Sequence, residues 1–188
     1  PRPDVKTLIV GLDGVPRRLL EDLSARGVMP AAAALIRSAH LHDLAASIPE
    51  ISSVSWSSFM TGANPGEHGI FGFTDLVPGT LKTRFPRFAD LRVPTLWDRL
   101  GTKGKRSVVL NQPSTYPARA IPRALVAGFV APDLDRAVHP ARHLARLREL
   151  GYRVDVDTRR AREAREAFLA DLLATHAARE QAAWYLWG

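Results

Sequence analysis

The sequence predicts an α/β protein, a mostly parallel central sheet layered between helices, and three observations carry that expectation. Residues 7–12 (TLIVGL) are a short apolar run rich in branched side chains that stops at Asp13-Gly14, the pattern of a buried strand ending in a tight turn. Residues 17–26 follow with Leu19, Leu20 and Leu23 on one helical face, and Gly27 supplies the stop that a left-handed backbone needs. Farther on, apolar runs at 107–110 and 125–130 alternate with helical patterns, as strand and helix units do in a layered sheet.

Taken in order, Pro30 opens a second helix over 31–38, since proline suits the first helical position where its missing N–H is no loss. In 51–62 the apolar residues Val54, Trp56, Phe59 and Met60 recur at mixed spacings, and the second half reads as a short helix ending at Gly62. Asn64-Pro65-Gly66 is a turn signal, and 69–73 continues as loop or short strand. Residues 74–94 have no sustained period and read as a long excursion over the active face. A helix over 95–103 takes Thr95 as its N-cap and Leu96, Trp97 and Leu100 as its buried side. Strands at 107–110 and 125–130 precede helices at 140–149 and 160–187. The last helix presents Phe168, Leu169, Leu172, Leu173 and Trp184, a stripe that needs a surface to cover it.

With 188 residues, 46% of them hydrophobic, the chain has the composition and length for one sizeable core, and residues 1–188 are expected to be one domain. Pro1 stands where a start Met would, and the apolar helical pattern at 184–188 simply stops. The expectation is the N-terminal portion of a longer catalytic domain, inactive by itself. No run of eighteen apolar residues and no leader pattern occurs, so no membrane segment is expected. The compartment stays open, with the missing leader leaning towards cytoplasm. There is no cysteine, which excludes disulfides and thiolate metal sites. A net charge of +7 raises the question of nucleic acid, but the arginines are scattered and no aromatics interleave with them. No stable nucleic-acid partner is expected.

Two positions attract chemical attention. Asp13 comes directly after the first predicted strand, at the end where open α/β sheets hold their ligands, and it equally suits the cap of the helix that follows. Ser52 sits just ahead of a short helix, where unsatisfied N–H groups and the helix dipole favour an anion. A hydroxyl there can attack phosphorus if a divalent cation takes up its negative charge, although Ser52, Ser53 and Ser55 are also ordinary capping residues. His68 is expected to be structural or near the surface. His139 and His143 lie four apart, as on one helix face, but no flanking carboxylate completes a site and solvent exposure is expected. His40, His42 and His176 suggest nothing sharper. Gly101 to Ser107 follows a helix and lacks the Gly-Lys-Ser/Thr ending of a phosphate-binding loop, so it reads as a turn.

Together, the run Leu8 to Gly14, the run Ser52 to Gly62 and the following Asn64-Pro65-Gly66-Glu67-His68-Gly69-Ile70-Phe71 resemble the type I phosphodiesterase/nucleotide pyrophosphatase family of the alkaline phosphatase superfamily. The likeness continues through Val93 to Leu100 and Ser107 to Pro113, and covers most of residues 5–135. The resemblance implies an alkaline phosphatase-like layered fold, here incomplete. It also implies hydrolysis of phosphodiester or pyrophosphate bonds through a covalent phospho-serine, with two divalent metal ions, zinc being usual. In the family an aspartate closing the first strand binds one metal, which selects Asp13. The nucleophile lies nine residues before the threonine of a Thr-Gly pair, which selects Ser52, and Ser52 would also touch the metal. Many members carry Thr as nucleophile and Asn three residues later, where this chain has Ser52 and Ser55, so Ser55 is the expected substrate-binding donor. The family's remaining Asp and His ligands, including an Asp-His pair, come from segments C-terminal to these residues. The implied partner is a small phosphate ester or nucleotide. A sister phosphomonoesterase or sulfatase-like activity, or a catalytically silent binding module with half a metal site, are the alternatives.

Overall fold

The computed structural model describes residues 6–188, apart from the side chain of Arg160, so residues 1–5 of the expected domain, and with them residue 5 of the family likeness, lie outside the described residues. The chain divides into two compact units, the first ending at Ala46 and the second spanning Ser47–Gly188.

In the first unit, helices α1 (Arg17–Ala25) and α2 (Pro30–Ser38) form as their local signals require. Gly27 adopts φ +73°, and the chain reverses through paired hydrogen bonds, Gly27 N–H to the Ser24 carbonyl and Val28 N–H to the Leu23 carbonyl. Pro30 occupies the first turn of α2 as expected. Residues 6–12 correct the sequence reading. They belong to neither sheet among the described residues, and Leu8 and Val10 are each 70% exposed. A strand exists through its ladder of inter-strand hydrogen bonds, and an apolar run without a paired neighbour gains neither the bonds nor the burial. The turn at Asp13-Gly14 does form, with Gly14 at φ +67°.

The second unit is a small sheet covered on both faces. Strand β1 (Asp75–Leu76) and strand β2 (Thr83–Arg84) make a separate antiparallel hairpin inside the long excursion, which therefore carries more structure than its lack of period suggests. Strands β3 (Ser107–Gln112) and β4 (Arg123–Ala127) pair in parallel, and β5 (Val138–His139) adds to β4 antiparallel. The expected long, mostly parallel sheet is thus a mixed sheet of three strands with one parallel pair, and β4 begins and ends earlier than the predicted 125–130.

Strand β4 organises the core because its alternate residues face opposite layers. Leu125 and Ala127 join Met60, Phe88, Trp97 and Ile121 in one cluster, while Ala124 and Val126 join Leu147, Tyr152, Ala182 and Leu186 in the other. The first cluster draws on helices α3 (Ser52–Thr61) and α5 (Leu96–Gly101), the second on α6 (Leu144–Glu149) and α8 (Arg165–Trp187). Leu125 and Val126 are fully buried, worth about 1.5–3 kcal/mol each in transfer free energy.

Several element boundaries differ from the sequence reading for local reasons. Helix α3 occupies the whole serine-rich run, so Ser52 is its first residue rather than ahead of it, and Gly62 ends it at φ +66°. The Asn64-Pro65-Gly66 turn is a one-turn helix, α4 (Pro65–His68), closed by a reciprocal capping box between Asn64 and Glu67. In α5, Thr95 caps as expected, but only Trp97 is buried while Leu96 and Leu100 are exposed. The predicted 140–149 helix is a 3-10 turn (Ala141–His143) followed by α6, and the last predicted helix breaks after α7 (Arg160–Glu163) at Ala164, whose backbone is not helical. Helix α8 turns a stripe of smaller residues inward, Thr175, Ala178 and Ala182 with Leu186, and leaves Leu169, Leu173 and Trp184 exposed. Small side chains let the helix axis approach the sheet, which the bulky stripe would prevent. Among the described residues no helix is long and apolar enough to cross a membrane.

Candidate active site

The head of α3 is assembled by hydrogen bonds that use every serine of the run differently. Ile51 precedes the helix in extended conformation and offers no side-chain cap. Its carbonyl accepts the N–H groups of Val54 and Ser55, both at 2.9 Å. The N–H groups of Ser52 and Ser53 have no hydrogen-bond partner among the described residues. Two free donors at the positive end of a ten-residue helix form an anion-seeking corner. Ser52 is half-buried there, and Ser53 is 3% exposed with its hydroxyl unpartnered.

Farther along the helix the serines serve packing. Ser57 Oγ donates to the Ser53 carbonyl at 2.6 Å, and Thr61 Oγ1 to the Ser57 carbonyl at 2.6 Å, which lets both sit buried without water. Ser55 Oγ lies 2.8 Å from Ser47 Oγ. Ser47 in turn donates to the Pro49 carbonyl at 3.2 Å, so its single proton is used and Ser55 is the donor between the two hydroxyls. Ser55 thus ties the helix to the segment entering it, and reaching a substrate oxygen requires a rotamer change.

His68 is fully buried, which corrects the near-surface alternative and supports the structural one. Its Nδ1 accepts the Ile70 N–H at 3.1 Å, so the neutral ring carries its proton on Nε2 and donates it to Ser58 Oγ at 3.0 Å. Burial holds its pKa below the usual histidine value against the opposing pull of Glu67. A neutral imidazole therefore clamps α3 to α4. His139 lies in β5 and His143 in the 3-10 turn, so the two share no helix face, and His143 is half-buried against Tyr185 rather than solvent-exposed.

The C-terminal ends of the parallel strands meet this helix. β3 bulges between Leu110 and Gln112, with Asn111 at φ +59° and its side-chain oxygen accepting the Tyr152 hydroxyl at 3.2 Å. Gln112 Nε2 reaches the Trp56 carbonyl at 3.5 Å, and Ser114, beyond Pro113, is at φ +61°. Left-handed non-glycine residues at a strand end are a recurrent mark of functional sites. A cavity of about 290 Å³ opens here, with Ser53, Phe73, Phe85, Arg87, Tyr116 and Val130 among its walls. Sequence reasoning missed Ser53 and Tyr116; no spacing rule links a helix start to a tyrosine beyond the next strand. Tyr116 is held in place by its hydroxyl donating to Asp133.

The predicted site residues fall in different units. Asp13 belongs to the first, in the turn after the exposed segment, while Ser52 and Ser55 belong to the second. Among the described residues no group of three or more His, Asp or Glu side chains is arranged to hold a metal ion. Asp13 and Ser52 are oxygen donors of the kind divalent cations accept, but one carboxylate and one hydroxyl are too few to hold a pair of cations.

The family model described as "Type I phosphodiesterase / nucleotide pyrophosphatase" matches residues 7–186. Comparison with curated proteins gives no match. Comparison with solved structures gives none either.

Proposed function

We propose that this chain, which belongs to the type I phosphodiesterase / nucleotide pyrophosphatase family, contributes the nucleophile and the phosphoryl-binding corner for hydrolysis of a phosphodiester or pyrophosphate bond. The observation that supports this most is the head of α3, where Ser52 stands beside two unpartnered N–H groups. Ser52 Oγ forms a bond to phosphorus as the bond to the leaving oxygen breaks; the serine proton is lost and the leaving group is protonated. Water then cleaves the phospho-serine, releasing the phosphate product and restoring the hydroxyl. The free N–H groups of Ser52 and Ser53 face the charge that grows on the phosphoryl oxygens, and such fixed donors are worth more in a partly dry corner than in water.

Asp13 and Ser52 are the residues of this chain that would hold a divalent cation, zinc by family resemblance. When bound, such an ion lowers the pKa of an oxygen nucleophile. The walls formed by Phe73, Phe85 and Tyr116 suit the organic part of an ester or a nucleotide. Ser55, freed from Ser47, is the donor for a phosphoryl oxygen.

In the intact protein, Ser52→Ala is expected to reduce turnover of bis(p-nitrophenyl) phosphate by at least about a thousandfold. Asp13→Ala is expected to weaken zinc uptake measured by calorimetry. Turnover by the Ser52 variant at the wild-type rate would remove the mechanism. Relative rates on monoester, diester and sulfate ester substrates separate this reading from sister hydrolases.

A further inference from the structure

The β1–β2 hairpin stands outside the hydrophobic core. Among the described residues none of 75–84 belongs to either core cluster, and Leu76 and Leu81 are exposed. Its two feet nevertheless carry walls of the α3 cavity, since Phe73 lies two residues before β1 and Phe85 directly follows β2. Whatever fastens the hairpin therefore sets where those two rings stand, and its fastening serves the cavity rather than the core.

Arg84 does the fastening. Its Nη2 donates to Asp75 Oδ2 at 3.1 Å, across the open end of the hairpin where the two residues are register partners. Its Nη1 donates to Asp90 Oδ2 at 2.6 Å, which ties the hairpin to the 3-10 turn Phe88–Asp90. The same Asp90 oxygen accepts the Arg87 N–H at 2.6 Å, so Phe85-Pro86 is bracketed by two bonds to one carboxylate. That turn is itself anchored, because Phe88 is buried in the first core cluster. Its N–H donates to the carbonyl of Tyr116, a further wall of the cavity, at 2.9 Å. The Arg84 and Asp90 side chains are only 28% and 22% exposed, which shelters the pair from the screening that weakens open surface pairs. Two carboxylates on different segments are held by one planar fork, a geometry that the point charge of a lysine does not reproduce.

We infer that Arg84 is a positioning residue for substrate specificity: by fixing the hairpin to the Phe88–Asp90 turn it holds Phe73 and Phe85 in place to pack against a ring-sized apolar group on the phosphate ester. The inference rests on the hydrolytic reading of the α3 corner. Arg84 is not itself a wall of the cavity and acts through the two phenylalanines. Phe73, Phe85, Tyr116 and Val130 offer apolar surface, and the Tyr116 hydroxyl is already spent on Asp133, so these walls hold a ring by packing rather than by hydrogen bonds. Phe73 is steadied from its other neighbour by an edge-to-face contact with Phe129, ring centroids 5.8 Å apart. A phosphorus centre carrying only a methyl group leaves most of the 290 Å³ unfilled and gains little from the walls.

The test titrates phenylphosphonate and methylphosphonate, stable to ester hydrolysis, against the intact protein by calorimetry. Phenylphosphonate is expected to bind at least about tenfold more tightly, and Arg84→Gln to bring the two within about threefold by weakening the phenyl compound alone. Arg84→Lys is expected to restore less than half of the lost preference, because it returns the charge without the fork. In turnover of bis(p-nitrophenyl) phosphate, Arg84→Gln is expected to raise KM at least about fivefold more than it lowers kcat, whereas a loss of folded protein would lower kcat at unchanged KM. Phe85→Ala removes one exposed wall and leaves the Arg84–Asp90 pair alone, so it must reduce the same preference even where the Arg84 variant fails to fold. Equal binding of the two phosphonates by the wild type, binding of neither, or a preference unchanged in Arg84→Gln and Phe85→Ala would each overturn the inference. Failure of the hydrolytic reading shows separately, as undiminished turnover in Ser52→Ala.

Discussion

Two apolar runs of similar composition meet opposite fates. Residues 7–12 in the first unit carry branched side chains outside any sheet and remain exposed, whereas Arg123–Ala127 in the second has Leu125 and Val126 at 0% exposure. The difference is the neighbourhood. β4 has a parallel partner on one side, an antiparallel one on the other, and a helix layer over each face. Hydrophobicity alone makes a strand possible; ladder partners and covering layers make it form.

The sharpest way to break the comparison is at Gly128, directly after β4. A Cβ there would lie 2.3 Å from the Asn111 carbonyl oxygen, which is backbone and cannot swing aside. Gly128→Val is expected to cost more than about 3 kcal/mol, seen as insolubility or a collapsed urea midpoint. Leu125→Ala comes next, with a loss of about 2–5 kcal/mol in the same measurement, because it opens a cavity between β4 and the α3 layer.

A smaller effect is expected from the ion pair that braces α5 against the loop before β4. Burial pushes the Asp98 carboxyl up, but Arg119, the Thr95 hydroxyl and the Thr95 N–H outweigh it and bring its pKa down to about 2. Arg119 also lies over the Phe88 ring, 4.4 Å from its centroid. A carboxyl depressed in the folded state stabilises above its unfolded pKa of about 3.9, and that contribution is lost as pH falls towards 2. Asp98→Asn is expected to flatten this part of the acid denaturation curve; an unchanged curve would show that the pair contributes nothing. The smallest effect belongs to the first run. Val10→Ser is expected to change stability by less than about 0.5 kcal/mol, and a loss comparable to that of Leu125→Ala would show that the run is covered in solution.

Part of the setting of the candidate site is legible in the sequence. The run ending in Thr61-Gly62 predicts a short helix over its second half, with Ser52 ahead of it, and the structure extends that helix back so that Ser52 is its first residue. Ser53 and the clamp made by His68 were not readable as such. Whether a serine hydroxyl is spent on a carbonyl, shared with Ser47 or left free depends on which side of the helix faces the core, and a run with serine at five of its ten positions has no periodicity to reveal that.

By itself the sequence determined the features that depend on neighbours along the chain. These include the left-handed stops at Gly27 and Gly62, the proline start of α2, the Thr95 cap and the order of motifs that assigns the family. Tertiary structure alone decided which apolar run became a central strand and which face of α8 turned inward. Caps and turns are closed by hydrogen bonds a few residues long, while strand pairing and layer contact join residues that only the folded chain brings within reach.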